Sequence, residues 1–346
     1  MNRTFRIRAA VAVLTAFLAA PSVGLSQTAD EFFSKNRIVM YIGSAPGAGY
    51  DLYGRAVARH MGRYLPGTPT LVPSNMPGAG SIVLANFMYA RAPRDGSALA
   101  GIQNGDVMEP IIGNHNARFK PSEFTWLGSV NKQTNVCISW ANTGVKSVKD
   151  VMLNEFLVGV VTSTSTETVA NLVNELVGSK LKLIKGYQST TAVLKAMEQG
   201  EVGGLCGIGI DSVQSSMADA LKNGRINVFM QIGSERHPEL PQASFVYDHL
   251  KDPTDKGLLD FLMARMLFGR PFLAPPGLPA ERARLLQEAF WKTMSDPEFL
   301  AEASRLNMPV MPIDGTSVRT SVVKLENASA KLIERASGII GGPVGK

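Results

Sequence analysis

The amino-acid sequence predicts an α/β protein with two lobes, each a mostly parallel sheet covered by helices. Strand-like apolar runs alternate with amphipathic helical patterns along nearly the whole chain, as in sheets with helical crossovers. The 346 residues, 45% of them hydrophobic, suffice for two domain-sized cores. A short segment at 132–134 joins two strand-like runs, which is typical of a crossing between domains. We therefore expect two folded lobes.

The first 26 residues have the pattern of a secretory signal peptide. Three arginines precede an apolar stretch at 9–20, and small residues at 21–26 lead to an expected cleavage after Ser26. Without these arginines the chain has 32 basic and 29 acidic residues, a formal charge of +3 rather than +6. No basic run suited to nucleic acid remains, and no later apolar run is long enough to span a membrane. We therefore expect an exported, soluble protein.

The tetrapeptide Pro-Gly-Ala-Gly occurs twice, at 46–49 and 77–80, each time between a strand-like run and a helical pattern. The first copy precedes a helix from Asp51 to about position 64, and the second a helix at about 82–91. Glycine permits positive φ and close approach of a ligand, and the N–H groups at a helix start favour negative charge. The two loops therefore predict one anion held by backbone amides.

The remaining elements continue the alternation of strand and helix. Strands are predicted at 98–102, 124–130, 136–140, 157–161, 181–185 and 202–208. Helices are predicted at 147–153, about 169–177, 191–198, 279–294 and 297–306. With a return crossing near 223–225, the first lobe is assigned to 27–131 plus about 226–346, and the second lobe to about 132–225.

Two cysteines, Cys137 and Cys206, both lie in strand-like segments. Export would place them in an oxidising compartment, so one disulfide between neighbouring strands is expected. Two buried free thiols are the alternative, because the sequence does not supply the distance between the two residues.

Several classes of chemistry lack their motifs. Leu52 stands where a dinucleotide-binding loop needs its third glycine, and neither a P-loop nor a Gly-x-Ser-x-Gly elbow occurs. The four histidines are scattered, and no spacing suits a metal. We therefore expect no cofactor, no metal and no catalytic residue.

Polar turns at strand ends are the remaining candidates for binding. Asp51 is expected to cap the helix that follows the first glycine loop and so to shape that loop. The Ser/Thr turn at 162–168 offers hydroxyls and helix-start amides to a carboxylate, or is an ordinary helix cap. Tyr187 either forms a wall of the binding site or covers a helix end.

Three segments together resemble a known family. They are 43–59 (Gly-Ser-Ala-Pro-Gly-Ala-Gly-Tyr-Asp-Leu-Tyr-Gly-Arg-Ala-Val-Ala-Arg), 75–81 (Asn-Met-Pro-Gly-Ala-Gly-Ser) and 92–97 (Ala-Pro-Arg-Asp-Gly-Ser). This order of motifs resembles the periplasmic receptors of tripartite tricarboxylate transporters, the Bug family. The resemblance implies a two-lobed type II periplasmic-binding-protein fold that closes over a small carboxylated solute and delivers it to a membrane permease.

The resemblance also implies which residues bind the ligand. One group comes from the two glycine loops and the other from the opposing lobe: Ala48, Gly49, Tyr50, Ala79, Gly80 and Ser81, then Ser163, Thr164, Ser165, Thr166 and Tyr187. Five more residues would shape the loops: Pro46, Gly47, Asp51, Pro77 and Gly78. Many relatives carry an aspartate where this chain has Gly207, with Asp211 four residues on. We therefore expect an anionic ligand unlike that of dicarboxylate-binding relatives.

The expected function is that of a monomeric periplasmic solute receptor without catalysis. A receptor that reports its ligand to a membrane signalling partner would use the same fold. An exported enzyme acting on a small acid is a third hypothesis, which requires a reactive group in the cleft.

Overall fold

Two six-stranded sheets organise the chain in the computed structural model, which describes residues 28–162 and 164–340. The expected signal peptide at 1–26 and the candidate Ser163 lie outside the described residues. The strands in chain order are β1 Ile38–Ile42, β2 Leu71–Asn75, β3 Ala98–Gly101, β4 Thr125–Ser129, β5 Asn135–Trp140, β6 Phe156–Gly159, β7 Leu181–Ile184, β8 Gly204–Gly209, β9 Ile226–Ile232, β10 Ser244–Phe245, β11 Pro271–Ala274 and β12 Ile313–Asp314.

Helices connect these strands and cover the sheets. They are α1 Ala29–Lys35, α2 Gly49–Met61, α3 Ile82–Ala90, α4 Val148–Leu153, α5 Ser165–Leu172, α6 Thr190–Gln199, α7 Ile210–Ser216, α8 Ala218–Lys222, α9 Lys256–Met263, α10 Ala280–Thr293, α11 Pro297–Arg305, α12 Gly315–Glu326 and α13 Ala330–Ile340. None of the helices in the described part of the chain is long and apolar enough to cross a membrane.

The first sheet has the strand order β12-β4-β11-β3-β1-β2, and the second β10-β9-β5-β8-β6-β7. Strands β1, β2 and β3 are parallel, whereas β11 runs antiparallel to both of its neighbours. In the second sheet β6 is parallel to β7 and β8, and β5 is antiparallel to β8 and β9. The predicted two-lobed α/β architecture is thus confirmed, with both sheets mixed.

The chain leaves the first sheet after Ser129 and enters the second at Asn135, so 132–134 lie at the crossing. The return occurs later than the sequence predicts. Strand β9 pairs with β5 along its whole length, and β10 also belongs to the second sheet. The predicted return at 223–225 is only a turn after α8, because its amides bond back to that helix. The chain returns to the first sheet at Pro271, the start of β11.

The core holds the first sheet rigid near this return. Phe272 of β11 and Phe290 of α10 are fully buried, with their ring centroids 5.5 Å apart. Trp126 of β4 is buried in a separate apolar cluster and donates its indole N–H to the oxygen of Pro121 at 2.9 Å. Close packing of this kind gives the start of β11 one position.

Cys137 of β5 and Cys206 of β8 are register partners in the second sheet, and the structure joins them by a disulfide. Both residues are fully buried. The bond links strands 69 residues apart in the chain.

Candidate functional site

The two glycine loops lie side by side at the carboxyl ends of β1 and β2. Gly43 donates its N–H to the oxygen of Gly101 at 2.9 Å, and Met76 donates to Ile42 at 2.8 Å. A Cβ on Gly43 would lie 2.2 Å from the Cβ of Ser81, so only glycine permits this approach. Ligands of open α/β sheets bind at such carboxyl ends.

Asp51 ties down the first loop. Its buried carboxylate accepts the N–H of Gly47 at 2.8 Å, the Nε of Arg55 at 2.9 Å and the Nδ2 of Asn75 at 2.7 Å. Burial alone would raise the pKa of Asp51, but these hydrogen bonds hold it below its usual value. The sequence predicts that Asp51 caps the first turn of α2; in the structure it turns back to the preceding loop. Gly47 takes positive φ (81°), whereas Gly49 does not.

The second loop runs through four consecutive residues with positive φ. These angles are 143° for Gly78, 47° for Ala79, 70° for Gly80 and 89° for Ser81. Two of the four carry a Cβ, so the loop stores backbone strain, a feature that clusters at ligand-binding sites. The turn is held because the N–H of Ser81 donates to the oxygen of Gly78 at 2.9 Å.

The Ser81 side chain braces the loop from inside. Its hydroxyl accepts the N–H of Gln103 at 2.8 Å and shares a hydrogen bond with the carboxyl of Asp106. Burial raises the pKa of Asp106 well above its ordinary value, with Glu109 adding to the rise and Ser81 opposing it. The raised pKa disfavours a negative charge on Asp106 beside this loop.

The six loop residues expected to bind the ligand do not present their amides equally. Gly49, Ala79 and Gly80 are exposed, Ala48 and Tyr50 half-buried, and Ser81 buried, while Pro46 and Pro77 lie exposed at the loops. The N–H of Ala48 donates to Ala45 at 3.2 Å, and the N–H of Ser81 is used within its own loop. The N–H groups of Gly49 and Tyr50 lie in the first turn of α2, where a helix supplies no carbonyl partner.

Arg270 is a buried residue beside the first glycine loop that the sequence-based prediction missed. It immediately precedes β11, and its side chain is 9% exposed. The guanidinium carbon lies 4.4 Å from the ring centroid of Tyr50 and 5.2 Å from that of Tyr53. Nη1 donates to the oxygen of Gly269 at 2.9 Å, while the buried Nε has no hydrogen-bond partner in the described part of the chain. A Cβ on Gly49 would lie 3.7 Å from Nη2.

Asp211 approaches Arg270 from the other lobe. Its Oδ2 lies 3.3 Å from Nη2 of Arg270, and its Oδ1 accepts the N–H of Ser212 at 2.9 Å. Gly207, where relatives carry their aspartate, has φ 81°, and a Cβ there would lie 2.3 Å from the oxygen of Ser165. That position therefore has no room for a side chain, and the acid facing the first lobe comes from the start of α7.

The Ser/Thr turn uses its described hydroxyls on its own backbone. Thr164 donates to the oxygen of Val161 at 2.8 Å, and the hydroxyl of Thr166 accepts the N–H of Val161 at 2.9 Å. Ser165 donates to the oxygen of Gly207 at 2.9 Å. These bonds match the helix-cap interpretation, because Thr164 is the N-cap of α5.

The Tyr187 side chain packs against residues of its own lobe. A Cβ on Gly159 would lie 3.2 Å from its ring, and its hydroxyl is 3.4 Å from Glu201. Burial, together with the Glu201 carboxylate, raises the pKa of Tyr187. The ring thus packs against the end of β6.

A chain of hydrogen bonds links Tyr50 to the crossing between the lobes. Its hydroxyl donates to Oδ1 of Asn104 at 3.3 Å and accepts the N–H of the same residue at 3.2 Å. Nδ2 of Asn104 donates to Gln133 at 2.7 Å, and Gln133 donates to Asn135 at 3.1 Å. Burial raises the pKa of Tyr50, partly opposed by Arg270.

Arg265 places a second cation at this end of the cleft. A Cβ on Gly105 would lie 3.9 Å from its Nη1, and its side chain forms no ion pair with the described carboxylates. Burial lowers the pKa of Arg265. The only sequence signal for Arg270 is a lone basic residue among apolar ones just before a strand, which is too common a pattern to mark a site.

Charged side chains in another surface groove already have partners within the protein. This groove beside β4 and α12 contains Lys120, which lies 3.5 Å from Glu123, and Arg319, which donates to the backbone oxygen of Ser122 at 3.3 Å. Within 28–162 and 164–340, no group of three or more His, Cys, Asp or Glu side chains is placed to hold a metal ion. The region around Arg270 and the first glycine loop is therefore the strongest candidate for a ligand site.

No family model matches the chain, and neither does any curated protein. Solved structures do resemble it. A TctC solute-binding protein from Polaromonas superposes with a TM-score of 0.65 at 17% identity, covering 88% of this chain and 98% of that one. The periplasmic binding protein BugD gives 0.63 at 19% identity, with the same coverage. The chain has the fold of the TctC and Bug solute-binding proteins.

A third structure with the TctC and Bug fold is an R. palustris protein with adipate. It superposes with a TM-score of 0.63 at 14% identity, covering 89% of this chain and 98% of that one. The resemblance predicted from the glycine loops is thus confirmed as a resemblance of fold. The Polaromonas protein is a solute-binding protein, and BugD is a periplasmic binding protein.

Proposed function

We propose that this protein is a periplasmic receptor that binds a small carboxylated solute between its two lobes. One observation carries the proposal: the buried guanidinium of Arg270, whose Nε has no hydrogen-bond partner among the described residues, lies beside Gly49 at the start of α2. A carboxylate fits this position because arginine binds it through two parallel hydrogen bonds.

The backbone beside Arg270 supplies further donors. The first-turn amides of α2 at Gly49 and Tyr50 favour an anion through both their N–H groups and the helix dipole. The exposed amides of Ala79 and Gly80 extend this surface on the neighbouring loop. Burial raises the pKa of Asp106, which favours the uncharged form of this carboxyl beside the loop. These features support the two-loop grip expected from the sequence.

The transport setting rests on the fold and on the amino-terminal pattern. Proteins of the TctC and Bug fold include one solved with adipate, a dicarboxylate. The predicted signal peptide supports export to the periplasm. We infer delivery to a permease of the tripartite tricarboxylate type by a monomeric receptor, with no catalysis. Copurification with a permease, instead of a sensor domain, would support transport over signalling.

A thermal-shift screen of the purified mature protein tests the binding proposal. It would compare mono-, di- and tricarboxylates with amino acids and with uncharged amides of the same carbon skeletons. A ligand at a hundred times its dissociation constant adds about 2.7 kcal/mol to the free energy of unfolding. We expect acids and not their amides to raise the melting temperature. Equal shifts with the uncharged amides would contradict the carboxylate site.

A further inference from the structure

The pairing of Arg270 with Asp211 narrows the ligand class. We propose that Asp211 selects acids with an ammonium group next to the carboxylate, so that the ligand is a 2-amino acid. The inference rests on the proposed function, since it assumes that an acid binds at Arg270. It identifies a specificity-determining residue on the second lobe.

One edge of the Arg270 guanidinium has donors available to a ligand. Nη1 is engaged by Gly269, Nη2 makes only a long contact of 3.3 Å to Asp211, and the buried Nε has no hydrogen-bond partner among the described residues. The edge formed by Nε and Nη2 matches the two oxygens of a carboxylate. A ligand carboxylate at this edge therefore takes over the Nη2 donor that now faces Asp211.

When a ligand carboxylate binds Arg270, Asp211 loses its cationic partner. The Asp211 side chain is 18% exposed, and among the described residues Arg270 is the cation within ion-pair distance of it. Its Oδ1 keeps the N–H of Ser212, while its Oδ2 would face the ligand carboxylate without a counter-ion. A partly buried carboxylate without a partner is costly, and a like charge beside it adds repulsion. A plain carboxylic acid thus meets a penalty at this site.

A ligand can itself supply the cation that Asp211 then lacks. An ammonium group on the carbon next to the carboxylate supplies charged N–H donors to Asp211 while the carboxylate binds Arg270. Guanidinium, carboxylate, ammonium and aspartate then alternate in charge. A hydroxyl at the same carbon offers one neutral donor, so it satisfies Asp211 less well. The expected order of affinity is amino acid, hydroxy acid, unsubstituted acid.

The test uses two series that differ only in this substituent: alanine, lactate and propionate, then aspartate, malate and succinate. Dissociation constants would be measured by calorimetry on the wild type, on Asp211→Asn and on the control Asp219→Asn, which alters an exposed acid of the same lobe. In the wild type we expect the amino acid of at least one series to bind on the order of tenfold to a hundredfold more tightly than its unsubstituted partner. Asp211→Asn should reduce this ratio to about threefold or less. Asp219→Asn should leave it unchanged.

The possible results distinguish the role of Asp211 from the proposed binding of a carboxylate. Unsubstituted acids that bind the wild type as tightly as amino acids would overturn the role of Asp211 while leaving a carboxylate receptor intact. A ratio that persists in Asp211→Asn would do the same. If acids with and without the ammonium group all fail to bind, the proposed function itself is rejected. Melting curves of the ligand-free variants show whether each is folded, and the wild-type series decides the matter without any variant.

Discussion

The guanidinium of Arg270 and the carboxylate of Asp211 lie 3.3 Å apart, joining the strand entry of one lobe to a helix start of the other. Residues 59 positions apart in the chain thereby meet where the two lobes are in contact. An ion pair between two lobes couples the charge of the site to the relative position of the lobes. This contact is the centre of the predictions about binding.

Replacing Arg270 should weaken acid binding more than it harms the fold. Arg270→Gln removes the charge and the two-donor edge, and we expect the dissociation constant of any bound acid to rise about a hundredfold. Arg270→Lys keeps the charge without the fork and should fall between the two proteins. Calorimetry measures the change, with the exposed Arg305→Gln as control. Wild-type affinity in Arg270→Gln would remove Arg270 from the site.

Asp106 should make stability depend on pH in a direction opposite to that of most acids. Its pKa is raised in the folded state, so the folded protein holds a proton that the unfolded chain releases. The free energy of unfolding should therefore fall as pH rises from 3.8, the ordinary value, through the raised folded pKa. Asp106→Asn removes this titrating carboxyl. The free energy of unfolding of the variant should therefore rise relative to that of the wild type as pH increases. Urea unfolding across this range measures it; a constant difference would contradict a raised pKa.

The two glycines of the first loop should respond differently to alanine. Gly47 has φ 81°, so Gly47→Ala should lower the free energy of unfolding by about 1 kcal/mol. Gly49→Ala meets no such strain, but its methyl group would lie 3.7 Å from Nη2 of Arg270. We expect normal stability and weaker acid binding for that variant. Denaturation and calorimetry on the pair would show the division, and equal loss of stability in both would contradict it.

Removing the disulfide should cost stability without affecting the cleft. The bond closes a loop between residues 69 positions apart, for which the loop-entropy relation predicts about 4 kcal/mol. The double variant Cys137→Ala/Cys206→Ala should lose that free energy of unfolding. Urea titration would show the loss as a lower midpoint concentration. The chain has no other cysteine, so dithiothreitol should destabilise the wild type and not the double variant. A wild type that dithiothreitol does not destabilise would refute the assignment.

The parts of the site that the sequence predicts are those with local causes. The loops at 46–49 and 77–80 are marked by glycine and proline beside periodic patterns, and turn chemistry of this kind acts within a few residues. The inward turn of the Asp51 carboxylate is not local, because Asn75 of the next strand completes it. The hydroxyls of the Ser/Thr turn are ambiguous for the same reason: the choice between ligand and helix cap depends on where Val161 and Gly207 lie.

Taken by itself, the sequence determines the alternation of strands and helices, the two glycine loops and the absence of phosphate-binding motifs, since these follow from periodicity and short-range backbone preferences. Only the tertiary structure decides that β9 and β10 stay with the second lobe, because strand pairing depends on contacts distant in sequence. It alone brings Arg270 to Gly49 and Asp211, because burial and charge pairing exist only once both sheets have formed.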